Sequence, residues 1–279
     1  MIEFETSCLY DEQVLNNEKI LTLVLIFEMI DVHCHLEHEK FKKEKNLIQS
    51  LRKELKAVIT SSSHPKDFEY SLQLKKEFNG FVFLCVGLHP EYIEEFSEET
   101  LDMFEEFVKI NKDEIVSIGE IGLDYFWIKD EGLREKQKWL FEKLCEFAKS
   151  INKPITVHIR DAYEDAFKIL GNIDYQKVHL HMFGGDKFLD KVLSNEWKIS
   201  VGPILLRSKK HKKIIKVLPI EKVMLETDSP WMKIDGRESL PNDVMLVARK
   251  ICEIKKVSME ELERKTDENS ISFFNLGKF

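Results

Sequence analysis

Residues 115–159 read IVSIGEIGLDYFWIKDEGLREKQKWLFEKLCEFAKSINKPITVHI. The stretch opens on a short β-branched segment, Ile115–Ile118, and closes on another, Ile155–Ile159. Between them, Leu140, Leu144 and Phe147 recur at helical spacing along Leu133–Ser150 and place an apolar stripe on one face. Strand, helix and strand in that order make a βαβ unit. A crossover of this length returns the second strand parallel to the first.

The same rhythm extends in both directions. Strand-like runs are expected at Ile30–Cys34, Ala57–Ser61 and Phe81–Gly87 before this unit, and at Val178–His181, Lys198–Gly202 and Val223–Thr227 after it. Helical patterns fall between them, among them Glu69–Phe78, Glu98–Ile110 and Asp186–Ser194. Eight strand–helix units over about 250 residues fit an α/β fold of the (β/α)8 TIM-barrel type. A doubly wound open sheet is the alternative, but the G-x-G-x-x-G turn that would favour it is missing. Residues 1–28 lie outside the rhythm. They are expected to be an N-terminal extension, either a cover for the barrel bottom or a segment upstream of a start at Met29, with the barrel domain spanning 29–279.

Composition narrows the function classes. The 279 residues are 43% hydrophobic and 33% charged, enough for one large domain with a full core. A net charge of -8 argues against nonspecific coating of duplex DNA, which needs many Lys/Arg–phosphate contacts. The longest apolar run, Ile20–Ile30, is too short to span a bilayer, and acidic residues precede it where a signal peptide would be basic. Five scattered cysteines without a C-x-x-C pair suggest neither a disulfide framework nor a cysteine zinc site. A cytoplasmic protein with no membrane association and no obligate protein partner is expected.

The polar residues that punctuate the strands carry the chemistry. His33 and His35 are two apart on a strand, so both side chains face one way and Cys34 the other. Glu120 follows the fourth strand, His158 ends the fifth, His181 closes the sixth and Asp228 follows the eighth. Barrel enzymes gather catalytic groups at the C-terminal ends of their strands, so four histidines and two carboxylates would converge on one mouth. A mixed nitrogen and oxygen set of this size suits two divalent ions with a carboxylate between them. Imidazole–carboxylate sites accept Zn, Mn, Ni or, less readily, Mg.

Six motifs give the sequence a family likeness: DVHCHL (31–36), VGLHP (86–90), GEIGLDY (119–125), VHIRDA (157–162), HMFGG (181–185) and ETDSP (226–230). In this order they resemble the TatD family of metal-dependent deoxyribonucleases, within the amidohydrolase-type barrels. The resemblance implies His33, His35 and Asp228 on one metal, His158 and His181 on the other, and Glu120 bridging. It assigns catalysis to Glu120 and Asp228, with Asp228 as general base. It implies substrate contacts from His89 and Arg160, with Tyr125 lining the pocket. The implied reaction is 3′–5′ exonuclease-like hydrolysis of DNA, on single strands or 3′ ends, with two divalent ions activating the water.

Three departures from the family bear on substrate rather than metal. Glu37 and His38 follow HCHL where Asp is common, HMFGG stands where H-C-F-S/T-G is usual, and Leu240-Pro-Asn-Asp stands near the expected Asn-Glu-Pro. One local feature suits a polyanion: Arg207, Lys209 and Lys210 begin RSKKHKK just after the seventh strand, on the face where the ligands gather. Amide or ester hydrolysis at the same metals, including deacylation, is the rival reaction. A barrel that binds metal or a partner without catalysis is the rival class.

Overall fold

The computed structural model describes residues 27–277, so nearly all of the 1–28 extension lies outside the described residues. Eight strands follow one another in the chain: β1 (Met29–Cys34), β2 (Leu55–Ser62), β3 (Val82–Val86), β4 (Ile115–Asp124), β5 (Ile155–Arg160), β6 (Val178–Leu180), β7 (Lys198–Val201) and β8 (Val223–Leu225). They form one sheet in sequential order, every neighbouring pair parallel. The intervening helices are α1 (Glu39–Lys43), α2 (Lys45–Leu51), α3 (Pro65–Glu77), α4 (Glu98–Ile110), α5 (Glu131–Ser150), α6 (Tyr163–Ile173), α7 (Leu189–Leu193), α8 (Ile204–Arg207) and α9 (Lys209–Val217). A small ribbon pairs Lys233–Ile234 with Arg237–Glu238, and α10 (Val244–Lys255) and α11 (Met259–Phe274) complete the ring. The expected TIM barrel is the fold.

Ile155, Val157, Val178, Leu180, Ile199 and Val201 belong to the large core between sheet and helices. Inside the barrel, Ile30, Val32, Ala57, Ile59, Cys85 and Met224 pack with Phe274 and Leu276 from the end of α11. The end of the C-terminal helix thus lines the floor of the barrel with apolar surface.

The seam between β1 and β8 is held differently from the other strand pairs. Asp31, fully buried, accepts from the backbone and hydroxyl of Thr227 at 3.0 and 2.5 Å and from the His33 backbone at 3.2 Å. Above it, the Asp228 amide donates to His33 O and the His35 amide to Ser229 O, at 2.9 and 2.8 Å. Burial drives the Asp31 carboxyl well above its ordinary pKa, against the pull of the Thr227 and His33 donors.

Two strand bulges aim the site. Between Asp31 and Cys34, three steps of β1 face two of β2, from Val58 to Thr60. Between Ile118 and Ile121, three steps of β4 face two of β5. The sequence reading ended the fourth strand at Ile118. The strand instead continues through Gly119 and Gly122 to Asp124, because those glycines let it ride against β5. A Cβ at Gly119 would lie 2.5 Å from Thr156 O, and one at Gly122, where φ is +142°, 2.0 Å from His158 O. The expected helix at Asp186–Ser194 is a single turn at Asp186–Phe188 leading into the short α7.

Asp31→Ala leaves three buried donors at the seam without an acceptor and is expected to cost about 3 kcal/mol. Urea unfolding measures it; an unchanged midpoint would show that the seam closes without Asp31.

Candidate metal centre at the mouth of the barrel

Glu120 sits on the β4 bulge, 3% exposed, with its two oxygens facing different histidines. Its Oε1 is 2.8 Å from His158 Nδ1, 3.2 Å from His181 Nε2 and 3.5 Å from His89 Nε2. Its Oε2 is 3.5 Å from His33 Nε2 and 3.9 Å from His35 Nε2. Asp228 Oδ1 lies 3.3 Å from His35 Nε2 and 3.7 Å from His33 Nε2. Three overlapping groups result, each tight enough to ligate a cation: His33–His35–Asp228, His33–Glu120–His181 and His89–Glu120–His158. All six residues expected as ligands therefore meet. His89 joins them, and His158 and His181 each approach Glu120 in separate groups.

Carboxylates that sequence reasoning missed fix the imidazoles from behind. His35 Nδ1 donates to Glu37 Oε1 at 2.8 Å, while Glu37 Oε2 accepts from Thr60 Oγ1 at 3.0 Å. His181 Nδ1 donates to Glu226 Oε2 at 2.9 Å, and Glu226 also accepts from Ser200 Oγ at 2.7 Å and the Met182 amide at 2.7 Å. His158 Nε2 lies 3.0 Å from Asp124 Oδ2. With Nδ1 committed, His35 and His181 aim Nε2 at Glu120 and Asp228, the nitrogen that would ligate once its proton is lost. The Ser200 hydroxyl, donating to Glu226, accepts from buried His179 Nε2 at 2.6 Å, so a chain of hydrogen bonds runs from the ligand layer into the barrel. A signal for Glu226 and Asp124 existed: both are carboxylates on the strand stretches that carry Asp228 and Glu120.

The residues present fit divalent cations. His33 is fully buried, and neither of its ring nitrogens has a hydrogen-bond partner among the described residues. Burial and nearby His181 lower its pKa, so it is a neutral base with an unanswered lone pair. Glu120 is ionised: burial pushes its pKa up, but His181, His89 and His33 hold it well below the carboxylate range. Asp228 is likewise lowered against burial by the His35 hydrogen bond and the His181 charge. Its backbone sits in the left-handed region at φ +53°, as do Asp161 and Met182 after β5 and β6, conformations that turn the chain sharply at the strand ends.

The expected substrate contacts are placed less uniformly. His89 starts the turn after β3, accepts from the Glu91 amide at Nδ1, and points Nε2 at Glu120. Arg160 is exposed, with its guanidinium 3.7 Å from the centre of the Phe126 ring. Tyr125 donates its hydroxyl to Asp165 at 2.6 Å and carries Arg134 over its ring, so its polar end is turned to α6 and not to the ligands. Arg207 donates to Lys233 O at 2.9 Å. Lys209 and Lys210 are exposed on the first turn of α9. The Lys210 ammonium lies 3.3 Å from where a Cβ of Gly184 would stand, over the loop that follows His181.

A parallel eight-stranded barrel with histidines and carboxylates gathered at the C-terminal ends of its strands is the architecture of metal-dependent hydrolases. The profile of TatD related DNases matches residues 30–275, and the chain belongs to the TatD family as a metal-dependent hydrolase. It is 33% identical over 248 residues to an uncharacterised metal-dependent hydrolase of Methanocaldococcus jannaschii, covering 88% of this chain and 96% of that one. It is 29% identical over 259 residues to the human deoxyribonuclease TATDN3, covering 88% and 94%. The crystal structure of the TatD homologue YjjV from Escherichia coli superposes with a TM-score of 0.83 at 25% identity, over 90% of this chain and 99% of that one. No helix among the described residues is long and apolar enough to cross a membrane.

Loading this centre should expel protons. Burial lowers the pKa of both His181 and His158, but Glu226 and Glu120 raise His181 to about 10, and Asp124 and Glu120 raise His158 to about 9. Both are therefore protonated at pH 7 in the metal-free chain, and ligation needs their lone pairs. Against burial, Glu37 and Asp228 likewise raise His35 well above the ordinary imidazole value. Affinity for Mn²⁺ or Zn²⁺ should therefore rise from pH 6 to pH 9, with release of about three protons at neutral pH. Calorimetry in buffers of different ionisation enthalpy reads the release; identical heats would contradict this protonation state.

Proposed function

We propose that the chain is a deoxyribonuclease that shortens single-stranded DNA from its 3′ end, with two divalent cations in the centre. The observation that carries this reading is the division of Glu120, one oxygen toward His33 and His35, the other toward His158, His181 and His89. A carboxylate shared in this way suits a pair of cations. His33, His35 and Asp228 would hold one, and His158 and His181 the other. When bound, such a pair supplies Lewis acidity to the phosphodiester and makes a water acidic enough to attack at neutral pH.

The chain's own groups do the rest. Asp228 is ionised and partly open, its side chain 18% exposed, so it can take the proton of the attacking water. Glu37 and Glu226 hold the His35 and His181 rings so that no reorientation is needed during reaction. Arg160 and His89 are the residues that would meet the non-bridging phosphate oxygens as charge develops there. Lys209, Lys210 and Arg207 give the rim a local positive field on an otherwise acidic protein. The relatives support the substrate class, since human TATDN3 is named a deoxyribonuclease. All four described cysteines are free, in keeping with a reducing cytoplasm.

A time course on 5′-labelled single-stranded DNA with Mg²⁺ or Mn²⁺ tests the reaction. A ladder retreating from the 3′ end, lost by about a thousandfold or more in Asp228→Asn, is expected. An intact strand, with amine or carboxylate released from amide or ester substrates instead, would assign the centre to carbon-centred hydrolysis.

The rim is tested separately. Replacing Lys209 and Lys210 by Ala should weaken DNA binding and flatten the slope of log affinity against log salt by about 1.4, from roughly 0.7 per phosphate contact on single strands. An unchanged slope would remove both lysines from the DNA path.

A further inference from the structure

Three aromatic side chains are largely exposed among the described residues: Phe126 at 40%, Trp127 at 56% and Trp231 at 60%. All three follow strands that end at the metal centre, the first two after β4 and the third after β8. Trp139 and Trp197, by contrast, pack against the core. Leaving two indoles in water, one beside each half of a charged site, forgoes the burial that such rings normally supply.

Both indoles are held by the site itself. Asp124 Oδ1 accepts the amides of Phe126 and Trp127 at 2.9 and 2.8 Å, while its Oδ2 lies 3.0 Å from His158. One carboxylate therefore fixes a candidate ligand and the aromatic turn together. The Arg160 guanidinium lies 3.7 Å from the Phe126 ring centre and 5.5 Å from that of Trp127. On the β8 side, the Trp231 amide donates to Asp228 O at 2.9 Å. Its ring stands edge-on to His38 at 4.9 Å and to His35 at 6.4 Å between centres.

We propose that Trp127 and Trp231 are stacking platforms for two unpaired nucleobases, one on each side of the phosphodiester at the metal centre. The proposal rests on the reading of the site as a nuclease and adds what selects the strand. Every base has an apolar face, so stacking holds a strand without regard to sequence. In a duplex both faces of each base are already covered, so the strand must be unpaired to engage the platforms. Arg160, packed on the Phe126–Trp127 turn two residues beyond His158, would meet the phosphate of a nucleotide stacked on Trp127. For a chain of net charge -8, stacking supplies affinity that overall charge opposes.

Fluorescence of the metal-free protein titrated with a dodecamer of thymidylate tests this without turnover, beside KM for the same strand in the metal-loaded enzyme. Binding should quench tryptophan emission. Trp127→Ala and Trp231→Ala should each weaken binding about tenfold and remove part of the quenching, with KM rising in parallel. Trp127→Phe and Trp231→Phe, which keep a ring, should stay within about threefold of the wild type, which separates stacking from loss of fold. Ala variants that bind and turn over the strand like the wild type would overturn the proposal. So would variants that alter the size of the protein in solution while their affinity for the dodecamer is unchanged, which would assign the rings to a protein interface. If the dodecamer binds with the expected pattern but is never cut, the platforms stand and the exonuclease reading falls.

Discussion

A carboxylate buried at the axis of a barrel must be answered by positive charge or hydrogen-bond donors, because the interior offers no water to solvate it. Glu120 is such a group, and much of the mouth is arranged around it. Five histidines from four strand ends or the loops after them point a nitrogen at one of its oxygens. Those imidazoles bring their own carboxylates, Glu37, Glu226 and Asp124, which set ring orientation and hold protons in place until a cation displaces them. The polar layer then continues downward through Ser200, His179 and Thr156 before apolar packing resumes on the floor.

Burying so many polar groups is tolerable because nearly every one has a partner. Among the candidate ligands in the described residues, His33 stands apart, and its two unanswered nitrogens mark where a cation would complete the layer. Structural stability and affinity for metal are therefore two readings of one arrangement. The surrounding chain carries local costs to hold it, with left-handed backbone at Asp161, Met182 and Asp228, all just past the ends of strands.

The barrel and the candidate ligands were legible in the sequence because they rest on periodicity and on position at strand ends. Eight short β-branched runs alternating with amphipathic segments specify layers, and His33, His35, Glu120, His158, His181 and Asp228 fall where such layers end. The groups behind the candidate ligands were less legible, since their one signal was a place on the same strand stretches. Glu226 reads as part of ETDSP, and Asp124 as part of GEIGLDY, until the strands are seen to bring them within 3 Å of a ring nitrogen. The bulge at Gly119–Glu120 was also hidden, since one extra residue leaves no trace in a two-residue period. Tyr125 illustrates the opposite case, where position in a motif suggested the pocket and a hydrogen bond to Asp165 drew the hydroxyl away.

The β1–β8 seam gives the fold a further property. These two strands lie farthest apart in the chain, so their meeting carries the largest loop-closure entropy of any neighbouring pair. They also bring together His33 and His35 from one side and Asp228 from the other. A polypeptide whose last strand has not docked lacks Asp228 beside His33 and His35. The candidate site is thus complete only once the hoop is closed, so its assembly is tied to the last pairing of the fold.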